Sequence, residues 1–218
     1  MEMPKKAGII FVTLGVVLIL SALLLFLYNE FEDRRAGQQA ESLMDEIQSV
    51  ITEETDPTTK PTEIEIDVTE SQETLPAEMP VVEIDGYEYI GYLSIPDLEL
   101  ELPVMAEWDY SRLKIAPCRH FGSSRTDDLV IAAHNYKRHF GPLSKLDIGA
   151  EITFTDMEGI ENRYALQELS TLAPDAVDAV QNSGYDLVLY TCTSGGATRV
   201  VAFCDRVTEE IDGEEIDE

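Results

Sequence analysis

An uncharged apolar run of 22 residues near the N-terminus constrains this chain more than any other feature. Residues 7–28 read AGIIFVTLGVVLILSALLLFLY. An α-helix rises about 1.5 Å per residue, so the run is long enough to cross a hydrocarbon core about 30 Å thick. We therefore expect a transmembrane helix at 7–28, with residues 1–6 as a cytoplasmic tip.

Basic residues on the two sides of this run indicate its orientation. Lys5 and Lys6 directly precede it, whereas Arg34 and Arg35 follow at a distance and among acidic residues. The positive-inside rule favours a cytoplasmic N-terminus and an extracellular remainder. A cleaved signal peptide is the alternative, but its apolar region normally has roughly 7–15 residues. No small-x-small cleavage site follows the run, so a retained signal-anchor is favoured.

The segment that follows, residues 29–80, is acidic and has two parts. It carries −12 of the formal net charge of −28, and residues 208–218 carry another −7. Residues 29–51 have helix formers with apolar positions at helical spacing, which predicts a short amphipathic helix. The remainder is rich in Thr, Glu and Pro, with too little apolar surface to offset the entropy of ordering. We expect residues 29–80 to form an acidic stalk or linker and residues 208–218 a flexible tail.

So negative a chain would repel the phosphates of nucleic acid, which excludes that class of partner.

A folded domain is predicted at residues 81–207. Short apolar runs separated by turn residues are typical of an all-β sandwich or closed barrel. The predicted strands are 89–95, 98–105, 128–134, 152–156, 162–172, 187–192 and 198–207. Short helices are predicted at 109–114, 140–146 and 175–180. The strands at 128–134 and 187–192 contain runs that are apolar on both faces, so both should be central and covered on both sides.

A thiol and a guanidinium lie at the facing ends of the last two predicted strands. Cys192 ends one apolar run, a short turn with Ser-Gly-Gly follows, and Arg199 opens the next run. Free cysteines are commonly buried structural residues, and a strand-end arginine is commonly a surface residue. A thiol at a strand end beside glycines is better placed for a cleft, so Cys192 is a candidate reactive thiol.

The three histidines differ in context. His134 ends an apolar strand, as Cys192 does, and is the best candidate partner for the thiol. His139 lies among basic residues at a predicted helix start and is expected to face solvent. His120 belongs to a predicted loop, where it could line a cleft or cap a turn.

The other two cysteines, Cys118 and Cys204, leave alternatives open. In an extracytoplasmic chain they could form a disulfide, the pairing that spares Cys192, or both could be buried small hydrophobic residues. A zinc site from Cys118 and His120 is conceivable, but Cys-x-His lacks the usual paired-ligand spacing.

Short motifs between residues 89 and 207 occur in a characteristic order and spacing. They are Gly-Tyr-Leu-Ser-Ile-Pro at 91–96, Phe-Gly-Ser at 121–123, Val-Ile-Ala-Ala-His-Asn at 130–135, Phe-Gly-Pro-Leu-Ser-Lys-Leu at 140–146, and Leu-Tyr-Thr-Cys at 189–192 followed by Arg199. With the N-terminal anchor, this set resembles the sortases, membrane-anchored cysteine transpeptidases of Gram-positive bacterial surfaces. The resemblance implies a closed β-barrel of about eight strands with short helices.

Some positions depart from the family pattern. Ala133 stands where the family often has Gly, and Val188 stands where the family favours Thr. His-Asn followed by Phe-x-Pro-Leu resembles class B, whereas the segment 172–186 is short for that class. No second apolar span follows the domain, which argues against the pilus-building class C. The subclass is left open between B-like and D-like.

The resemblance also implies a role for each candidate residue. Cys192 would be the nucleophile that attacks the Thr carbonyl of a Leu-Pro-x-Thr-Gly-like sorting signal and forms an acyl thioester. His134 would act as general acid and base, and Arg199 would stabilise the substrate or the oxyanion. The candidate substrate-binding residues are Thr191, Asn135 and His120.

The partners implied are surface proteins with a C-terminal sorting signal and an amine of a cell-wall precursor or a pilin. Residues 7–28 would anchor the chain in the cell membrane, with the catalytic domain outside. No cofactor is expected. Some sortases bind calcium through acids before the cysteine strand, but Asp175 and Asp178 fit a solvated helix face, so no metal is predicted.

Two other functions stay open on the residues alone. One is an extracellular cysteine peptidase that hydrolyses its substrate. The other is a non-catalytic, surface-tethered β domain, which would be favoured if Cys192 were buried and far from His134.

Overall fold

The computed structural model describes residues 5–55 and 76–208. Much of the predicted linker, at 56–75, and nearly all of the predicted tail, at 209–218, lie outside the described residues. The helices are α1 (Lys5–Thr55) and α2 (Val177–Gln181), and short 3₁₀ turns occur at Pro96–Leu98, Arg112–Lys114 and Gly141–Lys145. The strands are β1 (Val82–Ile84), β2 (Tyr87–Ile95), β3 (Leu100–Met105), β4 (Cys118–Phe121), β5 (Leu129–Ala132), β6 (Glu151–Asp156), β7 (Glu161–Leu172), β8 (Leu187–Cys192) and β9 (Arg199–Arg206).

Eight of these strands close into a barrel. Their order is β2-β3-β4-β5-β8-β9-β7-β6, and β6 pairs back onto β2. The pairs β3–β4 and β5–β8 are parallel, and the other pairs are antiparallel. Strand β1 forms a hairpin with β2 outside the closed ring. The expected closed all-β barrel of about eight strands is confirmed.

Two strands, β1 and β4, are missing from the sequence-based prediction. The prediction places His120 in a loop, and this is wrong, because His120 lies within β4. Strand β4 pairs with β5 over most of its length and with β3 only through the pair Met105 and Cys118. A strand of four residues is too short to show an alternation that could be read from the sequence.

The two faces of β8 show how the barrel positions the candidate thiol. Leu187 and Leu189 belong to the cluster that fills the barrel interior. Val188 belongs to an outer cluster that also contains Val180 of α2. Side chains alternate along a strand, so Cys192 shares the outer face with Val188. Every residue of β5 is buried as well, so both strands are central and covered on both sides, as expected.

Helix α1 has an uncovered half and a half that packs on the barrel. The large apolar side chains between residues 9 and 28 are exposed. Farther along, apolar side chains at helical spacing are buried, and this half of the helix contacts β2 and β3. These are Ala36, Ala40, Leu43, Met44 and Ile47. The helical part of the predicted stalk is therefore continuous with the apolar run and lies on the barrel surface.

All three cysteines are free, so the disulfide alternative is not formed. Cys118 and Cys204 are buried in different apolar clusters. Burial raises the pKa of both thiols to about 12, so they act as small neutral core residues.

Candidate active site

A cleft of about 280 Å³ opens on the outer face of the barrel at the ends of β5 and β8. Cys192, His134 and Arg199 all line it. The rest of its lining is mainly apolar and aromatic, and no acidic residue lines it within residues 5–55 and 76–208. The cleft therefore differs sharply in charge from the acidic chain that contains it.

The parallel pairing of β5 with β8 brings His134 beside Cys192. Ala132 is the register partner of Tyr190, and the next N–H, that of Ala133, donates to the Tyr190 carbonyl at 3.1 Å. Two residues after Ala132 comes His134, just beyond the end of β5, and two residues after Tyr190 comes Cys192, the last residue of β8. Because side chains alternate with a period of two, the imidazole and the thiol lie on the same face at the same barrel edge.

The antiparallel pairing of β8 with β9 brings Arg199 to the other side of the thiol. Cys192 and Arg199 are directly opposite each other in this ladder. Directly opposed residues have Cβ atoms about 4.5–5.5 Å apart. The thiol thus lies between an imidazole and a guanidinium that come from two different neighbouring strands.

Cys192 is accessible, unlike the other cysteines. Its side chain is partly exposed in the cleft, whereas Cys118 and Cys204 are buried. A partly exposed thiol beside a histidine and an arginine is the arrangement of a reactive cysteine rather than a structural one. A non-catalytic domain would be favoured if Cys192 were buried, and this thiol is partly exposed.

His134 is partly buried at the cleft wall. Burial lowers its pKa below the ordinary value, and the charge of Lys114 lowers it further. A neutral imidazole at pH 7 can accept a proton from the thiol, which makes His134 suitable as a base. Its ring lies against Tyr136, with 4.9 Å between ring centroids.

Arg199 opens β9 beside the turn that joins it to β8. Its Nη1 donates to the carbonyls of Gly196 and Thr198, each at 3.0 Å. A guanidinium carries five N–H donors in a fork, so these two bonds orient the group and leave donors for a substrate oxygen.

The three candidate substrate-binding residues lie in different places. The hydroxyl of Thr191 is buried and donates to the Ala133 carbonyl at 2.8 Å, which ties β8 to β5 behind the cleft. Asn135 is exposed and lies outside the cleft, with its amide 3.5 Å from the Thr193 carbonyl. His120 lines the cleft, and its Nδ1 is 2.8 Å from the Tyr190 hydroxyl.

The sequence predicts that His139 faces solvent. This prediction is wrong, because His139 is fully buried. Burial lowers its pKa to about 4, with a further contribution from His134 and an opposing one from the Ala36 backbone. The prediction fails because the surroundings of His139 include the Ala36 backbone of α1, about a hundred positions earlier in the chain.

An aromatic wall of the cleft is absent from the sequence-based candidates. Trp108 lies 5.0 Å from Tyr110 and 5.1 Å from His120, measured between ring centroids. Trp108 is the single tryptophan of the chain, which is the one available sequence signal. It lies in an irregular segment between β3 and β4, where no periodicity indicates which way a side chain points.

The described residues contain no preformed metal site. Within 5–55 and 76–208, no group of three His, Cys, Asp or Glu side chains could hold a metal ion. Asp178 of α2 instead accepts a hydrogen bond from Asn182 at 2.7 Å.

Comparison with known proteins gives one family. Residues 93–207, more than half of the 218-residue chain, match the family model described as Sortase domain. The chain is 30% identical over 124 residues to sortase A of Bacillus anthracis, in an alignment that covers 54% of this chain and 59% of that relative. The chain therefore matches less than two thirds of that relative's length.

Solved structures share the fold. Sortase C1 from Streptococcus suis is 22% identical, with a TM-score of 0.50 over 57% of this chain and 76% of that one. Sortase A from Corynebacterium diphtheriae is 19% identical, with a TM-score of 0.50 over 62% of this chain and 64% of that one.

Proposed function

The chain belongs to the sortase family, and from that premise we propose that it is a membrane-anchored cysteine transpeptidase. It would cleave a Leu-Pro-x-Thr-Gly-like sorting signal and transfer the surface protein to an amine of a cell-wall precursor or a pilin. The observation that carries the proposal is the accessible Cys192 between His134 and Arg199 in one cleft.

Acylation uses these three groups in turn. His134 takes the proton of Cys192, and the thiolate attacks the Thr carbonyl of the signal, forming a C–S bond. The developing oxyanion accepts hydrogen bonds from Arg199. The peptide C–N bond then breaks, and the imidazolium gives its proton to the leaving amine.

Transfer reverses these steps with a new amine. The acceptor amine attacks the thioester carbonyl, His134 takes its proton, and the C–S bond breaks to release the thiol of Cys192. Water in place of the amine would give hydrolysis, the reaction of a cysteine peptidase. The same residues serve both reactions, so the product distinguishes them.

The cleft supports a mainly uncharged peptide as substrate. Its walls are apolar and aromatic, including Trp108, Val177 and Val180, and its fixed charge is the guanidinium of Arg199. An apolar stretch of a signal would bury surface there at about 25 cal/mol per Å².

Helix α1 supports the proposed location. This helix is long and apolar enough to cross a membrane, and its apolar half is uncovered by protein. With Lys5 and Lys6 on the cytoplasmic side, the barrel would lie outside the cell, where surface proteins and their amine acceptors occur.

The test uses the full chain in detergent micelles, because α1 contributes buried residues to the barrel core. A panel of sorting-signal peptides is supplied with and without an amine acceptor, and products are analysed by mass spectrometry. We expect an acyl adduct on Cys192 and an amide product that increases with the amine.

The matched variants are Cys192→Ala and Cys118→Ala, one accessible and one buried thiol. Cys192→Ala should form neither adduct nor product, while Cys118→Ala should still form both. Turnover by Cys192→Ala would refute the proposed nucleophile. Hydrolysis alone at saturating amine would favour the peptidase.

A further inference from the structure

The loop after His134 is held against α1 by contacts that the proposed mechanism does not use. Asp33 of α1 is only 7% exposed, and its carboxylate accepts a hydrogen bond from the backbone N–H of Lys137 at 2.5 Å. These two residues are 104 positions apart in the chain. A buried carboxylate needs such a partner, and a bond between a charged acceptor and a backbone N–H is one of the stronger kinds.

A row of aromatic rings connects the same loop to the cleft. The ring of His134 lies 4.9 Å from that of Tyr136, which lies 5.4 Å from that of His139, between centroids. His139 is fully buried, and the nearby backbone of Ala36 in α1 opposes the lowering of its pKa by burial. The row therefore extends from the proposed base to the membrane helix.

The backbone of the loop is closed on itself by two hydrogen bonds and a close approach at Gly141. Phe140 N–H donates to the His134 carbonyl at 3.2 Å, and Gly141 N–H donates to the Tyr136 carbonyl at 2.9 Å. A Cβ added to Gly141 would lie 2.5 Å from the oxygen of that Tyr136 carbonyl. A shift of Lys137 would therefore be transmitted to His134.

A second contact between α1 and the loop is of a weaker kind. The ammonium of Lys137 pairs with Glu30 at 2.8 Å, but the Lys137 side chain is 74% exposed. Exposed pairs of this type contribute little to stability, since solvent and salt screen them. The hydrogen bond from the Lys137 N–H to Asp33 ends on a carboxylate that is itself buried, so it is the contact that can hold the loop.

We propose that Asp33 is a positioning residue for His134, so that docking of the membrane helix onto the barrel sets the geometry of the catalytic imidazole. This inference rests on the proposed function, in which His134 moves the proton. Its consequence is that the anchor is part of the catalytic apparatus as well as an attachment to the bilayer.

The experiment compares Asp33→Ala, Asp33→Asn and the control Asp45→Ala in the full chain in detergent micelles. Asp45 is an exposed carboxylate on the same helix. Kinetic constants are measured across pH with a sorting-signal peptide and an amine. Asp33→Ala should lower kcat about tenfold with KM within about twofold, since small misplacements of a catalytic group cost about this much or more. Asp33→Asn should stay near wild type, because its amide oxygen accepts the same bond.

The pH profile separates positioning from general destabilisation. Burial holds the pKa of His134 low, so a loosened loop hydrates the ring and raises that pKa towards its ordinary value. The acidic limb of kcat/KM should move to higher pH in Asp33→Ala and stay unchanged in Asp33→Asn and Asp45→Ala.

Several outcomes would overturn the inference. One is an Asp33→Ala variant with wild-type kcat and pH profile, and another is an Asp33→Asn variant as impaired as Asp33→Ala. If Asp33→Ala does not fold, Tyr136→Leu breaks the ring row while keeping the Asp33 bond, and it should show the same pH shift. A wild-type chain that forms no acyl adduct would instead refute the proposed function itself.

Discussion

At the scale of single residues, the candidate site contains three side chains whose neighbours differ in kind. Cys192 is accessible, His134 is neutralised by partial burial, and Arg199 is oriented by two carbonyls of its own turn. For Arg199 we make a specific prediction, because a positive charge alone cannot replace the planar arrangement of donors in a guanidinium.

Arg199→Lys should lose most transpeptidase activity. The ammonium keeps the positive charge but cannot donate to Gly196, Thr198 and a substrate oxygen from one plane. We expect kcat/KM to fall about 10²-fold, the usual size for the loss of an oxyanion donor. Steady-state kinetics with a sorting-signal peptide measure this. A variant with wild-type rates would contradict the role in oxyanion stabilisation.

The sequence located these three residues because each terminates or opens a strongly apolar strand. It could not locate the burial of His139 or the aromatic wall at Trp108 and Tyr110. Those depend on segments that pack from elsewhere in the chain, and neither leaves a periodic signal of its own. Thr191, adjacent to the thiol, is a sequence-based candidate for substrate binding. In the structure its hydroxyl donates a hydrogen bond to the Ala133 carbonyl.

At the scale of elements, the interface between α1 and the barrel combines apolar packing near β2 and β3 with a buried imidazole in the loop after β5. Ile47 and Met44 of the helix are buried, and each such side chain stabilises by about 1.5–3 kcal/mol. His139 must stay neutral to remain buried in the same interface. The stability of the folded chain therefore depends on pH.

The folded chain should lose stability as pH falls from about 6.5 towards 4. The pKa of His139 is about 4 when folded and ordinarily about 6.5, so the unfolded chain binds more protons in this window. Each pH unit then costs up to about 1.4 kcal/mol from this residue, with no further loss below pH 4. Thermal unfolding of the full chain in micelles at pH 7 and pH 5 measures the effect.

The matched variant is His139→Phe, which keeps a ring but cannot be protonated. Its melting temperature should fall less between pH 7 and pH 5 than that of the wild type. Burial also lowers the pKa of His120 and His134, so part of the fall should remain. An identical fall in both proteins would show that His139 does not contribute.

At the scale of the whole molecule, the uncovered half of α1 continues without a break into the half that packs on the barrel. The helix continues from the apolar run directly into contacts with β2 and β3. Carboxylates of the same helix bond to the loop beside the cleft. The active site would therefore lie near the membrane surface, at a height set by α1.

Thiol labelling on intact cells tests the orientation. Of the three cysteines, all within the described residues, only Cys192 is accessible. A membrane-impermeant maleimide should therefore label Cys192 in intact cells, and Cys192→Ala should remain unlabelled. Labelling that requires permeabilised cells would place the barrel inside and contradict the predicted orientation.

The sequence by itself determined the apolar helix, most of the strands and the three residues of the candidate site. These follow from local hydrophobic patterns and from motifs that a single segment contains. Only the tertiary structure decided that β5 and β8 pair in parallel, which places His134 beside Cys192. It also decided that α1 packs beside His139 and that Asp33 accepts a hydrogen bond from Lys137. The physical reason is that local patterns report which faces are buried, whereas the partner that buries them depends on the packing of the whole chain.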